Sequence, residues 1–152
     1  MKKFIIALIF GFCAINLSAQ WYKQYIPKDE LRDQPAEWQF IYESKMNSVI
    51  FSDTGMLYLL TSSGHIFDFD ENYQIEVLIG LYDLQDKLVY KGKYQFMVTV
   101  DGKVAGAMGF KEMLDYIKQK GYTVKIIAKR FKDLDFEVKT SKMLFDNWVK
   151  NE

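Results

Sequence analysis

The chain has 152 residues, with 20 basic and 20 acidic side chains, one histidine, one cysteine and two prolines, and 16% of its residues are aromatic. That length suffices for one domain with a core of its own. Charge balance without any basic block excludes a nucleic-acid surface and a pull toward anionic membrane, and a lone cysteine excludes a disulfide framework or a thiolate metal site.

Met1-Lys2-Lys3 precedes a mostly apolar run from Phe4 to Ile15, and Ala19 supplies a small residue a few positions later. This is the pattern of a secretory signal peptide, and the apolar run is too short to span a bilayer comfortably. Cys13 suggests a lipoprotein signal, but Phe12 is bulky where that processing needs a small residue, so cleavage is expected after Ala19. Residues 1–19 are therefore read as the signal peptide, residues 20–37 as an N-terminal lead-in segment and residues 38–152 as a single β-rich domain. The mature chain is expected in the periplasm or outside the cell, without cysteine and without a membrane span. Loss of Lys2 and Lys3 leaves it acidic by about two charges.

The lead-in carries Trp21, Tyr22 and Tyr25, and Pro27 and Pro35 bracket a stretch with room for one helical turn. Trp38, Phe40 and Tyr42 alternate with polar or differently facing residues, so the first strand is placed here. Ser48 to Ser52, Met56 to Thr61 and His65 to Phe69 are further strands, parted by Asp53-Thr54-Gly55 and Ser62-Ser63-Gly64. Asp70-Glu71-Asn72 is the next turn. Val77 to Tyr82 is apolar at every position, which predicts a strand buried on both faces. Leu88 to Tyr90 resumes strand composition, and Tyr94, Phe96, Val98 and Val100 fall on one face at period two. Asp101-Gly102 predicts a two-residue type I′ hairpin turn. The returning strand, Lys103 to Ala107, has a small-sided centre suited to close approach by a bulky group.

The period then changes. Phe110, Met113, Leu114 and Ile117 recur at i, i+3, i+4 and i+7, which predicts an amphipathic helix ended by Lys118, Lys120 and a left-handed Gly121. Tyr122 to Phe131 and Phe136 to Thr140 are the last strands, and Ser141 stands where it would cap a short C-terminal helix carrying Leu144, Phe145 and Trp148. The fold expected is α+β and mostly β: antiparallel sheets in a sandwich-like arrangement, one amphipathic helix packed on them and a short C-terminal helix.

Chemistry is sparsely marked. His65 is the sole histidine, and Ser62 or Ser63 beside it on a turn lacks the geometry of a nucleophile and its base. Asp68, Asp70 and Asn72 open like a calcium loop, but Tyr73 stands where that loop needs Gly and Ile79 where it needs a bidentate Glu. The plain reading is a solvated turn. Asp68, Asp70, Asp133 and Asp135 offer carboxylates for glycoside hydrolysis, yet all lie at turns that favour Asp for conformational reasons. Trp21, Tyr22 and Tyr25 are the candidate binding residues, as stacking partners for sugar rings or anchors for a protein; the alternative is an aromatic cover over the sheet edge. No cofactor motif is present.

Three stretches resemble a group of small exported bacterial proteins to which no activity is assigned: Trp21-Tyr22-Lys23-Gln24-Tyr25-Ile26-Pro27 with Asp29-Glu30-Leu31, Gly64-His65-Ile66-Phe67, and Val124 to Ala128 with Asp135 to Lys139. A looser similarity, confined to the helix and the two strands after it, is to β-sandwich envelope proteins of secretion or host invasion, whose paired cysteines are missing here. The function expected is thus an exported, non-catalytic domain that binds a protein or glycan partner. A glycan-binding module and a carboxylate-based hydrolase are the alternatives, and the oligomeric state is left open.

Overall fold

The computed structural model describes residues 20–44, 47–62 and 64–143. The elements in chain order are β1 (Gln20–Ile26), a 3-10 turn (Glu30–Arg32), β2 (Glu37–Glu43), β3 (Asn47–Ser52), β4 (Leu57–Thr61), β5 (Gln74–Tyr82), β6 (Leu88–Val98), β7 (Val104–Ala107), α1 (Lys111–Lys120), β8 (Thr123–Ala128) and β9 (Phe136–Lys139). The strands form one nine-stranded antiparallel sheet in the order β1-β2-β3-β4-β7-β6-β5-β8-β9.

Strand alternation decides which side chains meet. Phe40 lies across from Phe51, Val49 from Leu59, Ile79 from Ile126 and Ala128 from Phe136, and all eight are buried. These cross-strand pairs line a single continuous core that draws on both ends of the sheet. The sheet curls, so that β9 lies against β3. Two polar ties span the join: the Trp21 indole N–H donates to the Ser141 carbonyl at 2.8 Å, and the Arg130 guanidinium donates to Asn47 Oδ1.

The helix is where its periodicity puts it. Met113, Leu114 and Ile117 are buried, and Phe110, just ahead of the first turn, packs against Tyr94 and Phe96 at ring separations of 5.0 and 5.6 Å. Gly121 ends it at φ +70°, its N–H donating to the Ile117 carbonyl. α1 carries the chain from β7 across to β8, and Lys118 reaches the Phe40 ring of β2 (5.1 Å to its centroid). The small centre of β7 also behaves as expected: a side chain at Gly106 would strike Tyr58, which lies opposite it on β4.

Several expectations are corrected. The first strand does not begin at Trp38, because β1 precedes it and pairs along its whole length with β2. β5 is not buried on both faces: Ile75, Val77, Ile79 and Leu81 point inward, while Leu78 is 40% exposed beside Leu88 and Ile127 in an outer depression. His65 to Phe69 is a loop rather than a strand, touching the ladder only where Phe67 bridges to Arg130. Val100 leaves the core face and is exposed in the turn. That turn is not type I′, since Asp101 has no positive φ. The Gly102 N–H bonds the Thr99 carbonyl, Gly102 alone takes φ +74°, and the Asp101 carboxylate accepts from Thr99 Oγ1 and the Lys103 amide. Asp101 is held below its ordinary pKa by the Thr99 hydroxyl first and the Lys103 amide second. Leu144, Phe145 and Trp148, with the C-terminal helix expected there, lie outside the described residues.

Trp21 tests how the sheet closes. Its ring packs on Tyr42 and Phe51 at 5.3 and 6.3 Å while its N–H reaches Ser141. Trp21→Ala is expected to cost ~3–5 kcal/mol in urea unfolding through the lost ring. Trp21→Phe, which keeps a ring and loses the bond, is expected to cost about 1 kcal/mol; equal losses for the two variants would contradict a closure held mainly by packing.

Candidate binding cleft

β6 outlasts the strand beside it, and its free half builds one wall of a cleft. Tyr90, Gly92 and Tyr94 follow at i, i+2 and i+4, so they share the face that also carries Phe96 and Val98. Gly92 leaves a gap between the two rings, and the phenols lean into it and hydrogen-bond to each other. A Cβ at Gly92 would stand 2.7 Å from Tyr90 Oη and 2.9 Å from Tyr94 Cε2, so only glycine permits this arrangement without displacing a ring. Burial, then the hydrogen bond and charge of Tyr90, push the Tyr94 phenol up to about 12.

α1 supplies the other wall. Glu112, Tyr116 and Lys120 recur at i, i+4 and i+8, placing one acid, one ring and one cation at steps of about 6 Å along the axis. The Tyr116 ring stacks on Tyr122 (6.3 Å, 11° between planes), and Lys120 Nζ lies 4.7 Å from the Tyr116 centroid and 5.9 Å from that of Tyr122. Leu81, Phe110 and Met113 form the apolar floor of a cleft of about 500 Å³. Four tyrosines around an apolar floor, with one carboxylate and one ammonium, suit adhesion: large ring faces to cover, phenolic hydroxyls to hydrogen-bond, and little conformational entropy to lose.

The three aromatics singled out from the sequence are not brought together. Trp21 is buried in the core, and Tyr22 points to the opposite face of β1, donating to Glu43 Oε1 at 2.7 Å. Burial and then Glu43 raise the Tyr22 phenol well above its ordinary value. Tyr25 is half exposed and packs on Trp38 at 5.0 Å. Of the acids, Asp70 Oδ1 accepts the Asn72 and Gln74 amides, both at 2.9 Å, which fixes the turn. Tyr73 takes φ +57° there, its ring stacked on Phe69. Asp68 and Asn72 are exposed, and no group of three or more metal-ligating side chains occurs among the described residues.

His65 does acquire a partner, but not the one nearest in sequence. Its Nδ1 sits 2.8 Å from Asp133 Oδ2, whereas the buried Ser62 Oγ has no hydrogen-bond partner among the described residues, and Ser63 lies outside them. A serine that does not touch the imidazole is no activated nucleophile.

A second polar cluster escaped the sequence reading. Glu37 is buried, its carboxylate accepting from Ser52 Oγ (2.8 Å), Thr54 Oγ1 (3.1 Å) and Gln39 Nε2 (2.6 Å). It ties β2 to the turn between β3 and β4, and its charge adds to burial in raising the Tyr58 phenol. Every oxygen of that carboxylate is committed within the fold.

The cleft has a titration signature. Neutral Tyr94 is favoured in the folded chain, so its contribution to stability is full below pH 10 and is lost as pH rises toward 12. In ultraviolet titration, the difference between the parent and Tyr94→Phe is expected to show a phenolate step near pH 12. Tyr90→Phe should lower that step without returning it to 10, because burial is the larger cause; a step at 10 in that difference would contradict the geometry. No family model matches the chain, and no match to it was found among curated proteins or solved structures.

Proposed function

We propose that the chain is an exported, soluble, non-catalytic domain that binds a macromolecular partner, and that it does so at the cleft between β6 and α1. The observation that carries this reading is the set of four tyrosines around one open cleft, with Gly92 kept free of a side chain so that two of them can meet. Aromatic side chains with a polar tip are the groups that anchor recognition surfaces. Export is supported by the basic start, the short apolar run and Ala19. Among the described residues, no helix is long and apolar enough to cross a membrane. The curled sheet, with β9 against β3, supports a sandwich-like closure around the core.

The offset rings of Tyr116 and Tyr122 also favour a second reading, in which the partner is a glycan whose sugar faces lie on them. The carboxylate hydrolase draws no such support, because Asp70 is spent on its turn and Asp133 is engaged with His65.

N-terminal sequencing of the exported product is expected to begin at Gln20; a product beginning at Met1 would overturn the export half of the proposal. Tyr90→Ala with Tyr116→Ala is expected to weaken binders drawn from peptide-display and glycan panels by tenfold or more. Both rings are partly solvent-exposed, so Tm should change little. Binders that ignore both substitutions would place the site elsewhere.

A further inference from the structure

The cleft borders a length of strand whose outer edge has no neighbour among the described residues. β6 has 11 residues and β7 four, and the two pair only at Met97 with Gly106 and Val98 with Ala105. The Val98 N–H donates to the Tyr73 carbonyl on the β5 side (2.7 Å), and the Thr99 N–H to the Val104 carbonyl on the β7 side (2.9 Å). Antiparallel alternation carries that pattern back along β6. Gly92 and Tyr94 aim their backbone groups at β5, while Lys91, Lys93 and Gln95 aim theirs at the space beyond the end of β7. All three are exposed, and among the described residues no backbone group meets their N–H or C=O. Such an edge is a template for another strand.

We propose that this edge, from Lys91 to Gln95, takes up an extended acidic segment of a partner polypeptide, which joins the sheet as a strand and sends alternate side chains into the tyrosine cleft. The inference rests on the cleft being a binding site and adds what enters it. Strand geometry links the two features: residues added beside β6 face alternately the outer surface, where Lys91 and Lys93 stand, and the inner side, where Tyr90 and Tyr94 stand.

Charge selects the occupant. Lys91 has no ion-pair partner among the described residues, and Lys93 meets Glu76 at 3.3 Å in an exposed pair. Pairing with a second copy of this chain, centred on Gly92, would set Lys91 of one copy opposite Lys93 of the other, and like charges across a ladder repel. A segment with Asp or Glu at those positions gains attraction instead. Its intervening side chains, aromatic or aliphatic, reach the rings of Tyr90, Tyr94 and Tyr116 over the floor of Phe110 and Met113.

The test uses the mature chain from Gln20 and random twelve-residue peptides displayed on phage. Selected peptides are expected to alternate acidic with apolar residues, and their synthetic forms to slow amide exchange at Lys91, Lys93 and Gln95 by tenfold or more in NMR. Lys91→Glu with Lys93→Glu, both on the exposed surface, should weaken those peptides at least tenfold and less so as salt rises. Lys91→Pro removes one edge-facing donor while leaving the β5 ladder intact, and should abolish the protection. Peptides that perturb the Tyr90 and Tyr116 rings but leave edge amides exchanging at the free rate would overturn strand addition and leave the cleft reading standing. A glycan binding at the rings, with no peptide recovered, would overturn the polypeptide partner. Edge protection that grows with protein concentration alone would replace it with a second copy of the chain, and no binder of either kind would bring down both proposals.

Discussion

Everything in this molecule depends on one apolar surface shared by the two ends of a single curled sheet. Past residue 19 the sequence holds no cysteine, so no covalent bridge supports the described core. Burial has to do it, and it does so through alternate residues of nearly every strand together with the stripe of α1. Phe110 sits at the meeting point: its ring touches Tyr94 and Phe96, and its backbone N–H reaches the Gly55 carbonyl in the turn between β3 and β4. The helix is thus pinned to both halves of the sheet by the residue that begins it.

Legibility followed the strength of the local signal. The Phe110-Met113-Leu114-Ile117 spacing and the glycine after it were sufficient for α1, because a 3.6-residue period and a left-handed stop have few other causes. The turn at Asp70 was equally plain, since its carboxylate accepts the nearby Asn72 and Gln74 amides. β1 was harder. Gln20-Trp21-Tyr22-Lys23-Gln24-Tyr25-Ile26 looks polar because an edge strand with one face to solvent buries little; Trp21 alone of the seven is buried. β5 misled in the opposite sense. Leu78 is apolar yet faces outward, where Leu88 and Ile127 share the surface with it, so composition announced two buried faces where there is one.

The cleft was legible only in pieces. Tyr90, Gly92 and Tyr94 are spaced for one strand face, and Glu112, Tyr116 and Lys120 for one helix face, but neither pattern says that the two faces oppose each other. That depends on the chain leaving β7 after Ala107 so that Phe110 packs on Tyr94 and Phe96 and α1 borders the same cleft. The charged flank of the helix gives no sign of a cleft, because an amphipathic period implies only that one side is polar. His65 is a parallel case, since its carboxylate partner lies 68 positions away and no local spacing reveals it.

The bond from Trp21 to Ser141 joins positions 120 apart, and it bears on the order in which the domain is made. A chain emerging from its N-terminus presents β1, β2 and β3 long before β9 exists to lie against β3. Until then Trp21, Phe40 and Phe51 have only part of their surroundings. Topologies with such distant partners fold slowly, because the loop entropy is spent before the contacts that reward it can form. The join between the two ends of the sheet therefore waits for the last described strand, a condition costly wherever unpaired strands can meet one another.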